Sequence, residues 1–517
     1  MNNYILLDIF IIFSYIYILH KSRHAYHMLQ LESYKNERYI KWIKNNKTIK
    51  LKEAILIIPS IILFFNFKLG LIINIIWVLI LKLLKNKYVE KKPLVITARI
   101  KRMYLTESLI LIILGILINI YNNVYLIILL NLLIIFSYIF ILLINIINSP
   151  IEKSVQLKYY NMAKNKLKSN KDLKVIGITG SYGKTSTKYI VGTILSQKYN
   201  TLITPESYNT TMGVVRTINE KLDNTHQIFV CEMGAKNIGD IKEICDLVNP
   251  KYGILTAVGP QHLETFKTLD NVRKTKMELI DSLPKKGKSF VNYEDENIKE
   301  IKFNSNNIKF GLDKKCDYYA TNININEFGS NFDICMKNSE IINVKTKLLG
   351  LHNIINIVGA VAVCDEMGLN KDEIIAGIRF LKPVTHRLEL KRNSNGSIII
   401  DDAYNSNVKG AKMAIDVLGN FKNRKRVLIT PGIVDLGEKS EEYNKNLGKQ
   451  AAVSCDYIIL VGEKQAKPIM EGLLEERYSK QNIYVAKDIT EAINKMSEIM
   501  DSDTVVLFEN DLPDNYL

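Results

Sequence analysis

Apolar residues are distributed very unevenly along this chain. Five long apolar runs, at residues 4–20, 54–67, 69–84, 105–121 and 124–147, crowd the first 150 positions. Beyond residue 170 the pattern changes to short β-branched stretches that alternate with amphipathic, helix-period segments. Strands are predicted over 173–178, 227–232 and 252–258, and a helix follows the glycine-rich turn at 180–183 as far as Leu195. A second series of strands is predicted over 397–401, 426–430, 457–461, 482–486 and 504–508. Strand–helix alternation of this kind predicts parallel α/β sheets. The expected organisation is an α-helical membrane region at 1–150 and a linker at 151–172. Two α/β domains follow, a central P-loop-type nucleotide-binding domain at 173–383 and a Rossmann-like domain at 384–517.

So many apolar runs in one short stretch predict bilayer helices rather than the core of a soluble domain, since about 20 apolar residues cross a membrane. The run at 54–67 is short and carries Pro59, which suits a re-entrant piece, so four or five spans are expected. The run at 4–20 lacks the basic start and small-residue cleavage site of a signal peptide. Lys and Arg set the orientation. Residues 21–53 hold nine and residues 85–104 hold seven, against one at the Lys68 turn and none at Asn122-Asn123. Positive charge prefers the cytoplasmic side. The chain is therefore expected to be a multi-pass protein of the cytoplasmic membrane with its α/β domains in the cytoplasm. Asp8 and Glu107 lie within or at the ends of runs, where acids are candidates for function, and for Glu107, read as a helix start, an interfacial cap is the alternative.

Charge changes the picture once it is divided by region. The chain has 517 residues and a net charge of +16, but residues 1–150 hold 18 basic and 6 acidic side chains. The remainder holds 51 and 47, so the basic balance belongs to the apolar region and no nucleic-acid partner is expected. Cys231, Cys245, Cys316, Cys335, Cys364 and Cys455 are widely spaced and form no C-x-x-C pair. They are expected to be small buried hydrophobes in a reducing compartment.

The predicted strand at 173–178 leads into Thr179-Gly180-Ser181-Tyr182-Gly183-Lys184-Thr185-Ser186-Thr187. A strand, a glycine turn, Lys-Thr and a helix make a phosphate cradle. Glycines let backbone N–H groups approach phosphate, and the helix N-terminus adds positive partial charge. Lys184 is placed to neutralise the β/γ-phosphates and Thr185 to hold Mg2+. Ile178 occupies the first glycine position of the usual motif. Glu232 ends one predicted strand and His262 follows another, where open α/β sheets bind ligands.

At these residues the chain resembles the Mur ligase family, most closely its D-alanyl-D-alanine-adding branch, over residues 173–505. The resemblance rests on Gly180-Ser181-Tyr182-Gly183-Lys184-Thr185-Ser186, Glu232-Met233-Gly234-Ala235, His262-Leu263-Glu264 and Lys276-Met277-Glu278-Leu279. It continues through Gly350-Leu351-His352-Asn353-Ile354-Ile355-Asn356, His386-Arg387, Asp401-Asp402-Ala403-Tyr404-Asn405 and Leu436-Gly437-Glu438. The resemblance implies an ATP- and Mg2+-dependent ligase that joins a carboxylate to an amine through an acyl phosphate. It implies metal ligation by Thr185, Glu232 and His262, and a carbamate on Lys276 that bridges metal ions. It also implies nucleotide contacts from Asn353, Asn356, Arg387 and Asp401. Arg387 and Asp401 come from the C-terminal domain, so domain closure is expected to complete the site.

The resemblance has limits. The family's N-terminal domain, which holds the uridine-nucleotide end of the substrate, has no counterpart here. Val408 stands where a proline is common, and Phe508-Glu509-Asn510-Asp511 replaces a Lys-Gly-Ser-like stretch. The expected substrates are D-Ala-D-Ala or an amino acid as amine donor, and a UDP- or lipid-linked cell-wall precursor as carboxylate acceptor. Two alternatives stand beside this reading: a membrane ligase like the poly-γ-glutamate synthases, and a non-catalytic scaffold with a retired ATP site.

Overall fold

A computed structural model describes residues 3–46, 51–84, 93–206, 208–261, 263–303, 307–403, 407–434, 436 and 439–510. The chain forms two compact units that divide after Leu157. The division falls inside one helix, Ser137–Ser169, which continues through Pro150. The boundary expected at Pro150 is thus no break in secondary structure.

The first unit is helical. Among the described residues, three helices are long and apolar enough to cross a bilayer: Asn3–Leu31, Ala98–Tyr121 and Ser137–Ser169. The expected second run is a helix of only nine residues, Ile57–Phe65, about 14 Å long at 1.5 Å per residue. Asn66 then turns the chain into Phe67–Leu83 and caps that helix by accepting from the Leu69 N–H. The expected last run, 124–147, is interrupted. Helix Val124–Ile135 ends at Phe136, whose backbone (φ −99°, ψ 32°) leaves helical geometry before Ser137 restarts it. Hydropathy registers composition and is blind to such a break.

Polar side chains staple this unit internally. Lys21 pairs with Glu53 at 2.6 Å and donates to the Ile134 carbonyl, and Tyr17 donates to Glu53 at 3.1 Å. Asn131 reaches Ser60 at 2.9 Å and Asn74 at 2.7 Å. Glu107 does not start a helix as expected. Thr97 is the cap, and Glu107 lies buried in the third turn, where it accepts from Ser22 and Tyr26 of the first helix.

The second unit carries two sheets. The larger runs through β1 (Lys174–Thr179), β2 (Thr201–Ile203), β3 (Ile228–Glu232), β4 (Tyr252–Leu255), β5 (Lys288–Asn292), β6 (Asn307–Gly311), β7 (Tyr318–Asn326), β8 (Gly329–Cys335) and β9 (Ile341–Thr346). Their spatial order is β2-β3-β1-β4-β5-β6-β7-β8-β9, parallel as far as β7 and antiparallel from there to β9. Side chains alternate across β1. Ile176 and Ile178 enter one core with helices Lys184–Leu195 and Leu351–Glu366, while Val175 enters another with helices Thr211–Lys221 and Asp240–Val248. Leu351–Glu366 is buried almost throughout, which explains why its sequence is apolar on all sides.

The smaller sheet comprises β10 (Glu389–Arg392), β11 (Ile398–Asp402), β12 (Lys425–Thr430), β13 (Tyr457–Val461), β14 (Ile483–Ala486) and β15 (Thr504–Glu509). Their order is β10-β11-β15-β12-β13-β14, with only β10 antiparallel to its neighbour. The eight sequence-predicted strands coincide with β1, β3, β4, β11, β12, β13, β14 and β15, most within a residue or two. All six cysteines are free and buried.

Candidate active site

β1 lies between β3 and β4 in the sheet although it precedes both in sequence, so the chain reverses direction across the sheet at its carboxyl end. That switch point is where an open α/β sheet leaves a crevice. The loop after β1 fills it. Gly180 (φ +155°) and Gly183 (φ +79°) hold conformations that side chains disfavour. A Cβ on Gly180 would lie 2.1 Å from Thr256 Oγ1, so the loop needs glycine there. Gly183 is the N-cap of helix Lys184–Leu195 and supplies no capping side chain, which leaves the first helical amides available to an anion.

Lys184 Nζ bonds to the loop's own carbonyls, Gly180 at 2.6 Å and Ser181 at 3.3 Å. Burial lowers its pKa to about 8; nearby Glu232 opposes the shift and Arg387 adds to it. Ser181 is structural, because its hydroxyl donates to the Gly259 carbonyl and accepts from the Gly259 N–H. The Tyr182 hydroxyl donates to the Pro260 carbonyl.

Glu232 ends β3 fully buried. Its Oε1 accepts from Thr185 Oγ1 at 3.2 Å and from Asn209 Nδ2 at 3.0 Å. Its Oε2 lies 3.0 Å from the ammonium of Lys188, another fully buried side chain. Burial alone would raise the Glu232 pKa, but the Lys188 and Lys184 cations and the Asn209 bond outweigh it, so the carboxyl stays ionised. Lys188 and Asn209 belong to no motif singled out in the sequence. Their signal was faint: a lysine one helical turn beyond Lys184, and an asparagine in an unassigned loop.

Thr185 and Glu232 suit a divalent cation. Adjacent oxygens around Mg2+, with bonds of 2.0–2.1 Å in an octahedron, lie about 3.0 Å apart. The Thr185–Glu232 oxygen separation matches that spacing. Lys276, on helix Leu269–Asp281, is buried, and its pKa is driven well below the ordinary lysine value by burial and then by Lys184. A buried amine whose charged form is disfavoured, in the field of Lys184 and Glu232, fits the chemistry of carbamate formation. His262, Tyr404, Asn405, Gly437 and Glu438 lie outside the described residues.

Beside the loop opens a pocket that both sheets' domains line. Tyr182, Gly183, Ser186, Asn353 and Asn356 contribute from one side and Arg387 and Asp402 from the other. Asn356 packs on Gly183, where its Oδ1 would be 3.1 Å from an added Cβ. Asp401, expected to contact nucleotide, does not line this pocket. Its carboxylate bonds to His386 at 2.8 Å and Lys391 at 2.7 Å. Successive strand residues face opposite ways, so the neighbouring Asp402 takes the pocket position. Burial and then Glu509 raise the Asp402 pKa to about 8. Lys409, also on the pocket wall, pairs with the buried Asp295 of the central domain at 2.9 Å.

A glycine-cradled helix terminus, a buried cation cluster and an ionised acid at a sheet's switch point define a nucleotide-binding α/β fold. Residues 178–364 match the Mur ligase middle domain, and residues 386–509 match a domain described as "Mur ligase, glutamate ligase domain". Together these matches take in more than half of the chain, which belongs to the Mur ligase family, whose members are ATP-dependent ligases. The UDP-N-acetylmuramoyl-tripeptide–D-alanyl-D-alanine ligase of Escherichia coli K12 is 31% identical over 296 residues, covering 56% of this chain and 65% of the relative. The chain thus spans about two thirds of that relative's length. The Bacillus subtilis ligase of the same name is 28% identical over 328 residues, with coverages of 62% and 70%. Among solved structures, the MurF ligase of Thermotoga maritima in complex with ADP aligns with a TM-score of 0.62 at 28% identity. That alignment covers 69% of this chain and 80% of that one.

Proposed function

We propose that this chain is a membrane-anchored, ATP-dependent amide ligase of cell-wall precursor synthesis, which adds D-Ala-D-Ala or an amino acid to a precursor carboxylate. The grouping of Lys184, Thr185, Glu232 and Lys276 at one end of the parallel sheet carries this reading. A carboxylate is a poor electrophile because its charge repels nucleophiles and oxide leaves badly. Transfer of the γ-phosphoryl group of ATP to a carboxylate oxygen gives an acyl phosphate and ADP. The amine then attacks the carbonyl carbon, loses a proton, and phosphate departs with its bonding electrons. No enzyme nucleophile is needed, in keeping with cysteines that are all buried.

The chain's own groups supply positioning and charge. Lys184 exchanges its loop carbonyls for phosphate oxygens, and the uncapped helix amides hold the β-phosphate. Thr185 and Glu232 would hold a divalent cation, which supplies charge neutralisation on the transferring group. Lys276, whose charged form burial disfavours, is suited to add its free-base amine to CO2, losing a proton and leaving a carbamate anion in the field of Lys184 and Glu232. Asn353, Asn356, Arg387 and Asp402 would form the nucleotide's remaining walls.

Membrane anchoring rests on the three long apolar helices and on outward-facing Ile12, Ile16, Ile113, Ile116, Leu143 and Ile147. The basic segments at 21–53 and 85–104 favour catalytic domains in the cytoplasm. The deciding experiment uses the full chain in detergent with D-Ala-D-Ala and either UDP-linked or lipid-linked muramoyl peptide. ADP release that requires both substrates, a product heavier by one dipeptide, and hydroxamate formation with hydroxylamine are expected. ATP hydrolysis indifferent to every carboxylate and amine would overturn the proposal.

A further inference from the structure

The two oxygens of Glu232 are held very differently. Oε1 faces Thr185 and accepts neutral hydrogen bonds that a cation can replace or share. Oε2 forms an ion pair with the Lys188 ammonium at 3.0 Å, and no described donor makes a hydrogen bond to it. Lys188 is itself fixed: its side chain is fully buried, and it also donates to the Glu206 carbonyl at 2.5 Å. One carboxylate oxygen is therefore occupied by a cation that has no route to solvent.

We propose that Lys188 is a specificity-determining, positioning residue for the divalent cation: by occupying Oε2 it restricts Glu232 to single-oxygen coordination through Oε1. The inference rests on the reading of Thr185 and Glu232 as cation ligands. Its physical basis is the difference between two hard ions. Mg2+ demands six ligands at 2.0–2.1 Å and takes carboxylates one oxygen at a time, whereas Ca2+ takes six to eight at 2.3–2.6 Å and accepts bidentate carboxylates. A carboxylate with one oxygen withheld disfavours the larger ion. Burial makes the restriction firm, because moving the Lys188 ammonium off Oε2 would leave a desolvated charge without its partner.

The test is a competition experiment on the full chain in detergent with ADP present and no turnover. Mn2+ binding is followed by the EPR signal of the free ion, and Mg2+ and Ca2+ are titrated as competitors. Lys188→Met is expected to raise the affinity for Ca2+ relative to Mg2+ at least tenfold. Loss of the lysine charge strengthens both ions alike and cancels in the ratio. Lys188→Arg keeps a cation on Oε2 and is expected to retain the original ratio. A folded Lys188→Met protein with an unchanged ratio, or an equal shift in Lys188→Arg, overturns the inference. Absence of Mn2+ binding in the unaltered chain would instead overturn the cation-site reading beneath it. If Lys188→Met fails to fold, a crystal structure of the unaltered chain with Mn2+ and ADP decides. Coordination through Oε1 alone, with Lys188 still on Oε2, supports the inference, and a bidentate Glu232 refutes it.

Discussion

Two buried lysine–glutamate pairs, one in each unit, show how identical chemistry acquires different uses. Lys21–Glu53 lies among apolar helices at 2.6 Å, and Lys188–Glu232 lies at the carboxyl end of the sheet's strands at 3.0 Å. All four side chains are almost fully buried. Around Glu53 the surroundings close the account chemically: Tyr17 donates to the other oxygen, and Lys21 spends a further hydrogen on the Ile134 carbonyl. Around Glu232 they stay open. Its free-facing oxygen meets Thr185 beside a glycine loop, an uncapped helix terminus and the amine of Lys276. The first pair is a staple and the second is part of a site. Residue type and burial do not separate them, whereas the neighbours of the second oxygen do.

The comparison is sharpest at the phosphate loop. Lys184→Ala should lower kcat by about 1,000-fold, the upper range for removal of one preorganised charge-stabilising donor. Melting temperature should move little, and steady-state ADP release measures the effect. Retained turnover would dissolve the distinction between the two units.

Next in size is the helical staple. Lys21→Met should destabilise the protein by about 3 kcal/mol, because it strands the Glu53 charge in an apolar interior. Replacing both partners, Lys21→Met with Glu53→Leu, should recover most of that loss. Thermal melts in detergent test both, and ADP affinity should be unaltered in each. A change in ADP affinity would show that the staple is coupled to the site.

A pH series tests the pocket without mutation. Lys184 and Asp402 both titrate near pH 8. Below that pH the lysine is cationic and the aspartic acid neutral; above it the lysine is neutral and the aspartate anionic. The site around Gly183 therefore becomes more negative by two charges as pH rises, and the nucleotide proposed to bind there is a polyanion. ADP affinity should fall by about tenfold between pH 7 and pH 9, where a full pKa unit corresponds to tenfold. Asp402→Asn should remove about half of that fall on a logarithmic scale, as read by calorimetry.

The smallest effects come from a matched pair of single hydrogen bonds. Tyr17→Phe removes a donor from Glu53, and Asn209→Ala removes one from Glu232. Each should cost about 1 kcal/mol. The first should appear in thermal stability alone and the second in divalent-cation affinity, about fivefold. Appearance of both in stability alone would make Glu232 a second staple.

Much of this was visible in the chain itself. β1, β3 and β4 announced themselves as β-branched stretches, and Gly180 to Thr185 announced the cradle, because backbone approach to phosphate requires glycine at set spacings. β5 to β9 were not foreseen, since their strand signals carry no motif. Lys188 escaped notice because an isolated helical lysine is ordinarily solvated. Asp401 was assigned to the nucleotide by motif resemblance, and strand register is what puts the adjacent Asp402 on the pocket wall. The 124–147 run looked continuous because hydropathy is additive, whereas the break at Phe136 is a matter of backbone geometry.

Local sequence thus determined which elements form, where the glycine turn and Lys184 stand, and which family the chain belongs to, because these depend on neighbours a few residues apart. Tertiary structure alone decided that Lys188 would be desolvated against Glu232, that Asn209 would reach the same carboxylate, and that burial would push the Lys276 pKa down. Those outcomes depend on burial and on partners distant in the chain, as Asn209 is 23 positions from Glu232. The electrostatics of an ionisable group are set by what surrounds it in space, and linear order does not contain that information.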